Sequence, residues 1–255
     1  MHPVESFQMG SRFCRRSLLF ASLALTSAYV VCAQQFWEKK NYRHWSKEEC
    51  QKLLADSPWA REFNIEKTTV ELLQETSPAD RSRVEEPWVR YRIQFRSALP
   101  VRQAVARLSA IDAKYDGFSE EQKLDFDTKA EKYISTTFPD AILVHVSYES
   151  NVTSYEGDLA RYWHNRTPGQ MQSTAFLMNS RGAKVEPVRY VAGGGTRPEF
   201  DLYFPRQING QPMLLPEDKN VSIELMHPTI GSLPSQRIFL EFRTAKMSVG
   251  GQLIY

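Results

Sequence analysis

The stretch "EPWVRYRIQFRSALPVRQAVARLSAI", residues 86–111, changes its hydrophobic period in mid-course. Up to Ala98 it is rich in β-branched and aromatic residues with partial alternation, the pattern of a strand with one buried face. From Leu99 the apolar residues Val101, Ala104, Val105, Leu108 and Ile111 fall on one helical stripe, with Pro100 suited to a first helical turn. A strand running directly into a helix excludes an all-β or all-α chain and points to α+β.

Working outward, "EFNIEKTTVELLQE" (62–75) reads as a strand antiparallel to 86–98, across the polar stretch "TSPADRSRVE" (76–85). Downstream, Ser119 with Gln122 three residues later is a capping box, so a second helix is expected from there to about Ile134. The remainder is mostly strand: "AILVHVSYES", "STAFLMNS", "KVEPVRYVAG", "EFDLYFPR", "NVSIELMH", "RIFLEFRTA" and "GQLIY", divided by Gly, Pro and Asn turns. The intervening "YEGDLARYWHNRTPGQM" (155–171) carries no clear period and is expected to be irregular or partly helical. The expected architecture is a mainly antiparallel, β-sandwich-like α+β fold, with a two-helix insertion at about 100–136 and a short N-terminal helix.

That short helix lies in "HWSKEECQKLLADSPWA" (44–60), where Ser46 and Glu49 form a capping box and Trp45 and Cys50 take hydrophobic-staple positions. It is expected over Lys47–Ala55, stopping before Pro58. Trp37, Trp45 and Trp59 crowd this region. They could form an aromatic platform for a sugar or a peptide; alternatively, they dock onto the sheet a helix too short to persist alone, and that need for burial favours docking.

The N-terminus sets the compartment. Arg12, Arg15 and Arg16 precede an apolar run from Ser17 to Val31, ending in Val31-Cys32-Ala33. This is the pattern of a cleaved signal peptide over residues 1–33. The run is shorter than the roughly 20 residues of a comfortable membrane span, so a soluble mature chain beginning at Gln34 and without a stable membrane anchor is expected. Adjacent Arg15-Arg16 also fits a minimal twin-arginine signal. The chain divides accordingly into the signal (1–33), an aromatic helical segment (34–60) and a β-rich main domain (61–255).

Of the 32 basic and 30 acidic residues, only Arg12, Arg15, Arg16 and Glu5 fall within the signal, which leaves the mature chain formally neutral. Without clustered positive charge, nucleic acid is not an expected partner. Cys14 and Cys32 leave with the signal, so Cys50 alone remains and no intrachain disulfide can form. Its staple position predicts a buried, inert thiol.

Catalytic motifs are sought without success. "VAGGGTRPEF" lacks the Lys-Ser/Thr of a phosphate loop and reads as a turn between strands. "DAKYDGFSEEQK" places lysines at two ligand positions of a calcium loop. His44, His145, His164 and His227 show no metal-ligand spacing, and His145 reads as a half-buried strand histidine. No metal and no cofactor is expected.

"FWEKKNYRHWSKEECQKLLADSPWA", "FRSALPVRQA", "LYFPR" and "FRTAKMSVGGQLIY" together resemble a family of uncharacterised exported bacterial proteins. That family carries a Trp-Ser helix ending in Ser-Pro-Trp-Ala, a Ser-Ala-x-Pro-Val-Arg joint and a C-terminal Met-x-x-Gly strand. The resemblance spans most of the mature chain and implies architecture and periplasmic or secreted localisation, but no mechanism. Two functions follow as expectations: a non-enzymatic interaction module for a protein or glycan partner, and an extracytoplasmic hydrolase using dispersed groups such as Asp158 and His164.

Overall fold

Capping boxes start three of the described helices, and strand parity decides what each sheet buries. The computed structural model describes residues 35–66, 86–194 and 197–255. The expected signal segment, the part of the expected first strand from Lys67 to Glu75 and the polar stretch 76–85 lie outside the described residues.

Short helix α1 (Phe36–Lys39) and a 3-10 turn (Tyr42–His44) lead into α2 (Lys47–Ala55). Both halves of the expected capping box form: the Ser46 hydroxyl accepts from the Glu49 N–H at 3.1 Å, and the Glu49 carboxylate accepts from the Ser46 N–H at 2.7 Å. Strands β1 (Ala60–Glu66) and β2 (Trp88–Phe95) pair antiparallel. Between β2 and the next strand come α3 (Leu99–Asp112), a 3-10 turn (Tyr115–Gly117) and α4 (Glu120–Ser135). Arg102 of α3 anchors this helical pair. Its buried guanidinium donates to the carbonyls of Ile134, Arg96 and Ser97, and desolvation lowers its pKa from the ordinary value. The buried face of α3 is broader than the expected stripe, since Ala106 and Ala110 are buried on its other side.

Strand β3 (Ala141–Ser150) is followed by α5 (Thr153–His164), α6 (Pro168–Gln172), β4 (Ala175–Asn179) and β5 (Lys184–Val185). The segment expected to be irregular or partly helical is thus largely helical. Its apolar side buries Leu159 and Trp163, but its N-cap, Val152, has no side-chain acceptor, so the usual start signal is missing. "KVEPVRYVAG" also differs from the expected single strand. Pro187 cannot donate to a ladder, and the run divides into β5 and β6 (Arg189–Ala192), which belong to different sheets. Then follow β7 (Glu199–Pro205), the small hairpin of β8 (Gln207–Ile208) and β9 (Gln211–Pro212), β10 (Asn220–His227), β11 (Gln236–Arg243), and a last hairpin of β12 (Ser248–Val249) and β13 (Gln252–Leu253).

The fold is α+β with antiparallel sheets. One sheet has the order β1-β2-β3-β7-β6 and the other β11-β10-β4-β5. Inward residues of both belong to a single core cluster, joined by edge-on ring contacts between Phe95 and Phe242 and between Tyr91 and His227. At the β6–β7 turn Gly193 is required by close approach, because a Cβ there would stand 2.5 Å from the Glu199 carbonyl oxygen. Residues Phe36–Tyr255 form one compact unit. No helix among the described residues is long and apolar enough to cross a membrane.

Candidate functional site: the outer face of the five-stranded sheet

The three tryptophans singled out in the sequence do come together, but they face inward. Trp45 and Trp59 are 1% and 0% exposed. Their indole N–H groups donate to the carbonyls of Lys40 at 3.0 Å and Ile254 at 2.7 Å. Trp37, partly buried, meets Trp59 edge-on at 5.5 Å, and Phe36 meets both Trp37 and Trp45 in the same way. Trp45 and Trp59 therefore leave no ring face for a ligand to stack on. Cys50 is fully buried and burial pushes its thiol up to about 11, so it is not an activated nucleophile.

The polar chemistry lies on the outer face of the five-stranded sheet. On β2, Val89, Tyr91, Ile93 and Phe95 belong to the core, which by strand parity turns Arg90, Arg92 and Gln94 outward. Register then sets polar rows across the strands: Glu62, Arg92, Ser147 and Glu199 form one, and Gln94, His145 and Asp201 the next. Arg92 donates twice to Glu62, at 2.9 and 2.6 Å, and Arg90 pairs with Glu149 at 3.1 Å. Toward the α5 end these residues border a cleft of about 330 Å3 lined by Arg90, Arg92, Ser147, Glu149 and Glu156.

At the other end the face is covered. The Gln94 amide donates to the Leu54 carbonyl of α2 at 2.6 Å, and His145 is only 3% exposed. The His145 Nδ1 stands 2.8 Å from Asp201 Oδ1, and its Nε2 stands 3.7 Å from Glu199 Oε2. Burial lowers the His145 pKa and Arg96 adds to this, while Asp201 and Glu199 oppose it. The neutral ring thus donates its Nδ1 proton to Asp201 and keeps a lone pair on Nε2.

No protein-family model, curated protein or solved structure matches the chain.

An imidazole oriented by a carboxylate is the arrangement of a general base. Such a base must also reach a substrate proton, and the His145 side chain is 4% exposed. Neither Asp201 nor Glu199 was singled out in the sequence. The available signal was parity, since Glu199, Asp201 and Tyr203 alternate with apolar residues in "EFDLYFP". Asp158 and His164 do not form one site: they line different clefts, with Asp158 paired to Arg161. His227 is fully buried in the core, with Nδ1 2.8 Å from the Tyr91 hydroxyl. Its Nε2 has no hydrogen-bond partner among the described residues, and neither has Trp163 Nε1. Burial pushes the His227 pKa down to about 4. Among the described residues no group of three or more His, Cys, Asp or Glu side chains is placed to hold a metal ion.

Proposed function

We propose that this chain is an exported, non-enzymatic interaction module that engages a protein or glycan partner through the open half of the five-stranded sheet's outer face. The observation that carries this reading is the cleft beside Arg90, Arg92, Ser147 and Glu149. Its charges of both signs are already held by ion pairs. A partner with polar groups of its own would meet donors and acceptors fixed in advance, which lowers the entropic cost of binding. Export rests on the basic and apolar pattern of residues 1–33, by the general or the twin-arginine route. The resemblance to exported bacterial proteins agrees with it.

A photo-crosslinking side chain in place of Ser147, in cells that export the protein, is expected to yield a discrete adduct that vanishes in the Arg90→Glu/Arg92→Glu background. The same probe in place of Asp125, on the outer side of α4, is expected to yield none. Equal labelling from both positions would remove the face from consideration.

The hydrolase reading retains one observation in its favour, the His145–Asp201 pair, and needs the covering layer to open. Ester or peptide hydrolysis that disappears in His145→Gln would replace the interaction module with an enzyme.

A further inference from the structure

Away from that face, the turn Tyr42–His44, helices α3 and α4 and the turn Tyr115–Gly117 enclose a cleft of about 320 Å3. This is within the size range of small-molecule sites, which begins at about 300 Å3. Its floor is made by Ala106, Ala110 and Ala130, and its walls by the rings of Tyr42, Tyr115 and Phe126. Alanines in these positions keep open a space that larger helix-forming residues would fill.

The charged groups around the floor divide into spent and unspent. Arg43 is spent, with one terminal nitrogen on Asp127 at 3.2 Å and the other on Glu131 at 3.1 Å. Asp127 also accepts from the Tyr115 hydroxyl at 3.0 Å. Arg107 uses only its Nε, which donates to the Trp45 carbonyl at 2.9 Å. That bond fixes the fork, and both terminal nitrogens have no protein partner among the described residues. The Asp116 carboxylate, on the same rim, has no hydrogen bond or ion pair among them either. One fixed cation, and one exposed anion whose charge is felt by Lys123 but which makes no close pair among the described residues, border an apolar, ring-walled floor.

We propose that this cleft binds a free aromatic α-amino acid. The ligand carboxylate takes the Arg107 fork, its ammonium takes Asp116, and its ring lies on the alanine floor edge-on to Tyr115 and Phe126. The site is separate from the sheet face and does not depend on the role proposed there.

Calorimetric titration of the full chain with L-phenylalanine, 3-phenylpropanoate and phenethylammonium tests it. Phenylalanine is expected to saturate one site and to bind at least about tenfold more tightly than either half-molecule, because each half leaves one charge unpaired. Asp116→Asn and Arg107→Gln are each expected to weaken phenylalanine by about tenfold, and Ala110→Leu to abolish binding by filling the floor. Asp116 is exposed, so its variant folds normally and separates a lost site from a lost fold; thermal melting of all three variants is measured alongside. Failure of phenylalanine to saturate, binding unchanged by Asp116→Asn, or equal binding of phenethylammonium alone would overturn the proposal.

Discussion

His145 and His227 are both strand histidines, both buried, and both pushed below the ordinary imidazole pKa by desolvation, yet they sit on opposite sides of the same architecture. His145 lies on the outer face of the five-stranded sheet, where Asp201 and Glu199 lean against the effect of burial. His227 lies in the core, with a neutral phenol on one nitrogen and, among the described residues, no hydrogen-bond partner on the other. Burial alone does not decide how a histidine behaves. The partner does: the neighbouring strand supplies Asp201 to His145 through register, whereas the opposing sheet supplies the Tyr91 hydroxyl to His227.

The largest effect expected from this contrast is acid lability centred on His227. Its folded pKa is depressed, so the unfolded chain takes up the proton first. Stability is complete above the unfolded value near 6.5 and is lost as pH falls toward about 4. A difference of that size corresponds to about 3 kcal/mol. Urea melts at pH 7, 5 and 4 measure the decline, and Tyr91→Phe/His227→Phe, which removes the hydroxyl and both ring nitrogens, is expected to flatten it. An unchanged slope in the double variant would assign the acid response elsewhere.

A smaller effect sharpens the other half of the comparison. Asp201→Asn keeps the shape but removes the charge that raises the His145 pKa. The imidazole is expected to titrate at still lower pH, with about 1 kcal/mol of stability lost at neutral pH. NMR titration of the ring proton reads the shift directly, and an unchanged or higher value would mean that Asp201 is not the group opposing desolvation.

The smallest effect concerns the open half of the face. Arg92→Ala breaks the pair with Glu62, both side chains being about one-third exposed, and is expected to cost less than about 1 kcal/mol. A midpoint shift as large as that of the His227 acid transition would show that this half is structural rather than free to bind.

What the sequence made legible was what local chemistry controls. Ser46 with Glu49 and Ser119 with Gln122 start their helices as read, because a capping box involves four consecutive residues. The switch from strand to helix near Ala98 is equally local. The division of "KVEPVRYVAG" between two sheets was not legible, since it depends on partners distant in the chain. Nor was the pairing of His145 with Asp201, which are 56 positions apart. Helix α5 was legible only as an irregular or partly helical stretch, because Val152 provides no cap. The tryptophan cluster was found, but the direction its rings face is a tertiary property that spacing does not carry.

The hydrogen bond from the Trp59 indole to the Ile254 carbonyl spans 195 positions. In terms of chain synthesis, the segment made early cannot acquire its final packing until nearly two hundred further residues have emerged. Closing so distant a contact is entropically slow. Until residue 254 is available, Trp59 lacks the acceptor for its buried N–H, and the aromatic cluster around α2 waits on the segment that follows the β12–β13 hairpin.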